Sequence, residues 1–165
     1  MILKERTTYY NLSLRPAECA DEAFLETLYA NTRRDEVTIF SWSREQQNAF
    51  FKMQFEMQTR AYKIQFPDAA TYIVELEKLP AGRLIVERGE REIKLIDISL
   101  AEEFRNRGAG TFLLEKLKAE ADAGGKALFL RVLKTNLAAK RFYERLGLTV
   151  VENADLHWAM RWQNP

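Results

Sequence analysis

The chain has 165 residues, of which 47% are hydrophobic and 30% charged, and its formal net charge is +1. This length and composition are typical of one folded domain, so we expect a single domain spanning residues 1–165 and exclude a disordered or membrane-embedded chain. Acidic and basic residues are interleaved instead of forming blocks, so the sequence favours neither nucleic acid nor anionic lipid as a partner.

Two further absences in the sequence narrow the class of protein. The N-terminus lacks the apolar core of a secretory signal, and no stretch approaches the roughly 18 apolar residues of a membrane-spanning helix. We therefore expect a cytoplasmic protein. Because Cys19 is the single cysteine, we expect neither a disulfide framework nor a metal site.

The first 70 residues predict a short strand and two helices. Residues 9–15 alternate like a strand that stops at Pro16, after which Asp21 is placed to cap a helix. Ser43 and Gln46 have the spacing of a capping box and open a second helix. The wide apolar face of this second helix consists of Phe50, Phe51, Met53, Phe55 and Met57.

Three strand-like runs follow at residues 71–77, 82–87 and 92–100. The turns predicted between them, at residues 79–82 and 88–90, are short enough for antiparallel hairpins. Beyond the third run the predicted elements are a sharp turn at 105–110, a helix ended by Gly124 and Gly125, an apolar strand at 127–133, a helix at 136–146 stopped by Gly147, and a hairpin of strands at 148–152 and 156–162.

The sharp turn has the features of an anion site. It joins a buried strand to an amphipathic helix, and its two glycines, Gly108 and Gly110, let the backbone approach a ligand without an intervening Cβ. The unpaired N–H groups of the first helical turn then point at that ligand, for which phosphate is the natural guest. Arg105 and Arg107 add positive charge, which suits a pyrophosphate.

Two sequence blocks, taken in order, connect the chain to a known family. Arg105, Gly108 and Gly110 form the first block, and Asn136, Ala139 and the run 142–147 form the second. Together they resemble the phosphate turn and the following helix of the GNAT superfamily of N-acetyltransferases. The resemblance extends from about Thr71 to Trp162, whereas the first 70 residues agree only in general layout.

The resemblance implies a fold and an activity. The fold would be α/β (α+β), with a mixed, mostly antiparallel central sheet of about seven strands, flanked by about four helices and splayed around an acetyl-CoA site. The enzyme would transfer the acetyl group of acetyl-CoA, its co-substrate, to a primary amine of a small molecule, peptide or protein. Transfer would occur by direct attack within a ternary complex and without a metal.

The resemblance also implies which residues hold acetyl-CoA. The pantetheine arm would lie beside the strand before the turn, where a backbone N–H near Ile98 would serve as the oxyanion donor. The diphosphate would take the N–H groups of residues 107–111. The implied cofactor-binding residues are Ile98, Ser99, Leu100, Arg105, Asn106, Arg107, Gly108, Ala109, Gly110, Thr111, Asn136, Ala139 and Tyr143.

Asn136 and Tyr143 lie seven residues apart on a predicted helix, so both side chains project from one face. By resemblance, Asn136 hydrogen-bonds the pantetheine arm, and Tyr143 is the general acid that protonates the departing thiolate of coenzyme A. The alternative interpretation is that Asn136 caps the helix and Tyr143 is a half-buried aromatic residue.

The general base is where the sequence departs from the family. Some members carry a glutamate on the strand before the turn, where this chain has Lys94, and others carry one on the next strand, where it has Arg131. Asp97 is the nearest acidic residue and a candidate base, acting directly or through water. Asp97 is equally well explained as a strand residue that faces solvent or an internal arginine, and water alone is a further candidate base.

The acceptor is the least constrained part of the prediction. An apolar helix face usually packs into a core, although in this family the early helices border the acceptor pocket. His157, the single histidine, is interpreted as structural. The candidate pocket residues are Trp42, Phe50, Met53 and Met57, and the acids that would attract a cationic amine, or simply face solvent, are Asp35, Glu36, Glu75 and Glu77.

Two classes of function therefore stay open at this point. Tyr143 favours an enzyme, whereas the missing glutamates leave room for a non-catalytic module that binds or senses acyl-CoA. The late hairpin offers an edge for pairing with a second copy of the chain, so a homodimer is also possible.

Overall fold

The computed structural model describes residues 11–164. Its strands form one seven-stranded sheet in the order β1-β2-β3-β4-β5-β7-β6. Only β4 and β5 pair in parallel, and the other neighbours are antiparallel. The sheet is therefore the mixed, mostly antiparallel one that the resemblance implies. The strands are β1 Leu12–Pro16, β2 Ala70–Leu76, β3 Leu79–Arg88, β4 Glu92–Leu100, β5 Ala127–Leu133, β6 Thr149–Asn153 and β7 His157–Trp162.

Four α-helices flank this sheet within the described residues. They are α1 Glu22–Arg33, α2 Arg44–Gln65, α3 Ala109–Ala123 and α4 Leu137–Arg145. None of the helices in residues 11–164 combines the length and apolarity needed to cross a membrane.

The helices cover opposite faces of the sheet in pairs. Leu84 of β3 belongs to the main core, together with Leu113 of α3 and Tyr143 of α4. The next residue along β3, Arg83, points to the other face because side chains alternate along a strand, and there it bonds Gln58 of α2. Thus α3 and α4 lie on one face, and α1 and α2 lie on the other.

Several predicted elements are confirmed closely. The strand predicted at 92–100 has those bounds, as does the one at 127–133, and the helix after the sharp turn ends just before Gly124. Ser43 and Gln46 form the predicted capping box at the start of α2. The first predicted strand begins at residue 9, which lies outside the described residues, and its described part is β1.

The prediction of a turn at residues 79–82 is wrong. The chain reverses at Glu77 and Lys78, whose φ angles are 52° and 67°. Positive φ at both central residues is the geometry of a two-residue hairpin turn that matches strand twist. Pro80 instead lies inside β3, opposite Glu75, where the register shifts, and such an irregularity tolerates a residue without an N–H.

The predicted capping role of Asp21 is also wrong. The Asp21 side chain makes no capping bond to α1. Its carboxylate instead accepts two bonds of 2.7 Å from the guanidinium of Arg15 and one of 2.8 Å from the backbone N–H of Glu18. These bonds lower the pKa of the Asp21 carboxyl to about 2, with the Arg15 bonds as the largest cause. The carboxylate is thus occupied by the preceding strand and by the residue that begins the short turn before α1.

Gly82 is required by the close approach of β3 to β4. A Cβ added there would lie 2.3 Å from the backbone oxygen of Ser99 and 2.8 Å from a methyl carbon of Leu100. The first of these atoms is main chain and cannot move aside without displacing β4.

We therefore expect Gly82→Ala to lower the free energy of unfolding by about 2–3 kcal/mol, since overpacking forces a backbone shift. Gly124→Ala is the matched control, because its Cβ would meet only the flexible side chain of Lys126, at 3.4 Å. Urea unfolding followed by tryptophan fluorescence measures both. Equal effects of the two substitutions would contradict the assignment of close approach at Gly82.

Candidate functional site

The central feature of the site is the separation of the two parallel strands. β4 and β5 pair only over Glu92–Leu95 and Ala127–Leu130. Beyond that point β4 continues to pair with β3 on its other side, up to Leu100. The side of β4 that faces β5 therefore has no strand partner over residues 96–100, and its backbone polar groups there are open to a ligand.

An irregularity in β4 marks the point of separation. Leu95 lies opposite Val86 and Asp97 opposite Ile85, so Ile96 is an extra residue in β4. Such a bulge bends a strand and redirects its side chains. The bulge places Asp97 on the same face of the sheet as Arg83.

The separation opens a cleft of about 500 Å³ that reaches both faces of the sheet. One wall is formed by Asn136, Ala139 and Tyr143 from the α4 side. The wall on the other face comes from Arg33 of α1 and from the end of α2. The residues of β4 and β5 that line the cleft between these walls are Lys94–Ile98 and Phe129–Leu133, and His157 of β7 joins them.

The predicted anion turn follows β4 and ends in α3. Gly108 has a φ of 92°, a left-handed conformation in which glycine carries no steric penalty, and Asn106 has a φ of 56°. Phe112 is the first α3 residue whose N–H bonds back to the helix, to the carbonyl of Gly108 at 3.0 Å. The N–H groups of Ala109, Gly110 and Thr111 meet no acceptor within residues 11–164, so they are free to bind an anion.

The two arginines of this turn differ in their contacts. Arg105 Nε donates to the carbonyl oxygen of Leu100 at 2.8 Å, so this side chain fastens the turn to the end of β4. Arg107 is exposed. The turn thus presents positive charge while one of its arginines also supports its shape.

Asn136 and Tyr143 both line the cleft, as their spacing predicts. Asn136 Oδ1 accepts the N–H of Ala139 at 3.1 Å, so the capping interpretation is correct for this oxygen, while the amide nitrogen stays available. Tyr143 is only 8% exposed. Burial, and secondarily the charge of Asp97, raises the pKa of the Tyr143 hydroxyl to about 12.

Asp97 lies in the cleft and faces an internal arginine. Its Oδ2 accepts from Arg83 Nε at 3.0 Å and from Ser99 Oγ at 3.1 Å. Arg83 is only 5% exposed, and its Nη2 also donates to Gln58 Oε1 of α2 at 3.0 Å. The interpretation of Asp97 as the partner of an internal arginine is therefore correct. Its Oδ1 accepts no hydrogen bond from the described residues.

The remaining predicted cofactor residues lie next to the cleft. Ile98 is part of its lining, whereas Ser99 and Leu100 continue β4 towards the turn at residues 105–111. One strand and its following turn thus carry the predicted cofactor residues, apart from those on α4.

The four apolar candidates for an acceptor pocket lie outside the cleft. Trp42 and Phe50 pack with the cluster around Phe51, and their rings lie 5.1 Å apart, so core packing is their role. Met53 and Met57 are 48% and 57% exposed and line no part of the cleft. None of the four acids predicted to attract a cationic amine lines the cleft either, and Glu75 bonds Arg15 instead.

The side chains that do line this part of the cleft were missed by the sequence analysis. Tyr62 and Phe66 continue the helical spacing of Phe55 by seven and eleven residues, so periodicity alone gave a usable signal. Arg33 carries no such signal, because its place in the cleft depends on where α1 ends. His157, interpreted as structural, also lines the cleft, since β7 pairs with β5 and sets His157 opposite Leu133.

Comparison with known proteins agrees with this geometry. The sequence profile of the family described as acetyltransferase (GNAT) matches residues 36–148 of the chain. That segment contains the separated strands, the anion turn, Asn136 and Tyr143.

Curated relatives match shorter segments. N-alpha-acetyltransferase 60 of Xenopus tropicalis is 43% identical over 54 residues, which are 30% of this chain and 22% of that protein. The uncharacterized N-acetyltransferase YobR of Bacillus subtilis (strain 168) is 40% identical over 58 residues, which are 34% of this chain and 24% of that protein. The matched segment thus spans about a quarter of the length of these relatives.

Solved structures match over nearly the whole chain. PaiA N-acetyltransferase from Thermoplasma acidophilum, in complex with coenzyme A, has a TM-score of 0.68 at 16% identity and covers 93% of this chain and 99% of its own. An acetyltransferase from Thermus thermophilus has a TM-score of 0.68 at 19% identity, covering 94% and 99%. At such identities the likeness shows the fold. Because the profile covers more than half of the sequence and the fold agrees throughout, the chain belongs to the acetyltransferase (GNAT) family.

Proposed function

We propose that the protein is an N-acetyltransferase that transfers the acetyl group of acetyl-CoA to a primary amine by direct attack within a ternary complex. The observation that carries the proposal is the open cleft between β4 and β5, which has a buried tyrosine on one wall and unpaired strand backbone on the other. A helix N-terminus with free N–H groups follows the same strand. This arrangement suits a long donor with an anionic diphosphate.

The residues present fit acetyl-CoA, whose contribution is an activated acetyl thioester. The N–H groups of residues 107–111 would hold its diphosphate, since they carry the partial positive charge of a helix N-terminus. The open side of residues 98–100 would bond the pantetheine amides as an added strand does, and Asn136 would hold the same arm from α4. The bound coenzyme A of the Thermoplasma acidophilum structure supports this choice of donor.

Tyr143 is the proposed general acid. A hydroxyl with a pKa of about 12 stays protonated throughout the neutral range, so it is always able to donate to the leaving thiolate. Burial also keeps competing water away from the hydroxyl.

Asp97 is the proposed base for the incoming ammonium, directly or through a water molecule. Its Oδ2 is occupied by Arg83 and Ser99, so Oδ1 is the oxygen that would accept the proton. Arg83 and Ser99 also hold the carboxylate through Oδ2, which leaves Oδ1 without a partner among the described residues.

The acceptor amine, the cellular location and the assembly are also proposals. The name of the Xenopus tropicalis relative supports an α-amine as one acceptor to test.

We propose a cytoplasmic location, as expected from the sequence. A homodimer would use β6, an edge strand whose five residues are all exposed.

Tyr143→Phe tests the enzymatic proposal. We expect turnover to fall about a hundredfold, because the proton donor is lost, while the Kd of acetyl-CoA changes less than about twofold. Thiol release with a panel of primary amines measures turnover, and calorimetry measures the Kd. Tyr72→Phe is the control, since Tyr72 lies outside the cleft and bonds Arg88. Unchanged turnover in Tyr143→Phe would remove Tyr143 from the mechanism, and binding by the wild type without turnover of any amine would favour an acyl-CoA sensor.

The raised pKa of Tyr143 predicts a loss of stability in alkali. Because the folded-state pKa is about 12 and an unfolded tyrosine ionises near its usual value of 10.0, the contribution is complete below pH 10 and is lost as pH rises towards 12. The urea midpoint of the wild type should therefore fall more steeply between about pH 9.5 and 11 than that of Tyr143→Phe. Parallel slopes in this range would contradict the burial of a protonated hydroxyl.

Asp97→Asn separates catalysis from structure. Removing the charge that faces the buried Arg83 should lower the free energy of unfolding by about 3 kcal/mol. If Asp97 is the base, the accompanying loss of kcat/KM shrinks as the pH approaches the pKa of the acceptor amine, which then arrives deprotonated. Glu87→Gln is the control, since it also removes a carboxylate that pairs with a cation, here Lys94, but lies outside the cleft lining. A loss of the same size at every pH would assign Asp97 a purely structural role.

A further inference from the structure

The half of the cleft that lies towards α1 and α2 has an excess of positive charge. Donor-binding groups occupy the α3 and α4 side, so the acceptor would enter from this opposite face. Asp97 is the single carboxylate among the described residues that line the cleft. Its charge is neutralised by Arg83, whose Nε lies 3.0 Å from Asp97 Oδ2. Lys94 is balanced by Glu87, whose carboxylate lies 2.8 Å from its Nζ. Each of these two ion pairs therefore adds no net charge to the cleft.

Among the described residues, two arginines of the lining have either no ion pair or only a long one. Arg131 of β5 makes no ion pair within residues 11–164. The nearest carboxylate to Arg33 is Glu36, at 3.9 Å on the solvent side. The Arg33 guanidinium carbon also lies 4.0 Å from the centre of the Tyr29 ring, so stacking helps to hold the group in place.

From this charge pattern we propose that the acceptor amine carries an oxyanion, either a carboxylate or a phosphate, which Arg33 and Arg131 bind. This inference rests on the proposed acetyl transfer and names its substrate class. A guanidinium presents several N–H groups in a planar fork that matches both oxyanions. The ammonium end would then lie towards Asp97 Oδ1, with the anionic end towards the arginines.

The same pattern disfavours diamines and polyamines. A second cationic group would approach Arg33 and Arg131 with no carboxylate to meet it in the described lining. Like charges at short range in a partly desolvated cleft repel strongly, which makes the arrangement selective as well as attractive.

Matched amines test the substrate class. Thiol release is measured with β-alanine against β-alaninamide and with phosphoethanolamine against ethanolamine, and 1,4-diaminobutane is the cationic probe. Rates are expressed per concentration of the ammonium form, which is the form that Asp97 is proposed to deprotonate, because the anion changes the basicity of the amine. We expect kcat/KM to be about 10- to 100-fold higher for at least one anionic member than for its neutral partner. The pair that shows the larger ratio identifies carboxylate or phosphate as the preferred oxyanion.

Charge-removing variants connect this preference to the two arginines. In Arg33→Gln and Arg131→Gln we expect the ratio of anionic to neutral acceptor to fall at least about fivefold, with the KM of acetyl-CoA unchanged. Arg161→Gln is the matched control, an exposed arginine of β7 outside the cleft lining, and should keep the wild-type ratio. A raised KM for acetyl-CoA with an unaltered ratio would assign the arginines to the donor and overturn the inference. A preference for 1,4-diaminobutane would overturn it as well.

A binding assay separates failure of this inference from failure of the enzymatic proposal. Calorimetry compares N-acetyl-β-alanine with N-acetyl-β-alaninamide, and phosphoethanolamine with ethanolamine, on the protein saturated with coenzyme A. Selective binding of an anionic member without turnover of any amine would support the oxyanion site and overturn the enzyme. Turnover without discrimination in either assay would support the enzyme and overturn the oxyanion site.

Discussion

The early end of pairing between β4 and β5 is the constraint on which the rest of the structure depends. A continuous ladder would satisfy the backbone of β4 and leave no place for a ligand, whereas here pairing stops at Leu95 and Leu130. Backbone polar groups that lose a strand partner need another one. The fold therefore holds a gap beside β4, and the buried Tyr143 lines the same cleft, while the turn before α3 follows the same strand.

A strand that is open on one side has to be held firmly from the other. Gly82 allows β3 to approach the main chain of β4 at Ser99 more closely than a side chain would permit. Below that contact, Arg83 reaches from β3 to Asp97 and onward to Gln58 of α2. The buried ion pair thus connects the open strand to a helix on the same face, and it orients the one carboxylate of the described cleft lining.

The structural features that neighbouring residues determine could be predicted from the sequence, and those that depend on tertiary packing could not. The anion turn, the capping box at Ser43 and the strand at residues 92–100 are encoded by neighbouring residues, and each was predicted where it occurs. The turn at Glu77 and Lys78 was not predicted, because neither residue type favours positive φ. Pro80 and Gly82 are residue types typical of turns, but here Pro80 lies at a register irregularity and Gly82 at a close contact between strands. The role of Asp21 depends on where β1 places Arg15, and the lining of the cleft on the α1 and α2 side depends on how these helices pack. The packing of these two helices is a tertiary feature that no local pattern predicts.

Phe142 connects the first turn of α3, at Gly110, with Tyr143 of α4. A Cβ at Gly110 would lie 3.4 Å from the ring of Phe142, and that ring packs 5.3 Å from its sequence neighbour Tyr143. The ring of Phe142 therefore lies between the first turn of α3 and Tyr143. A substitution that moves this ring would therefore be felt at two places, the first turn of α3 and the buried tyrosine of α4.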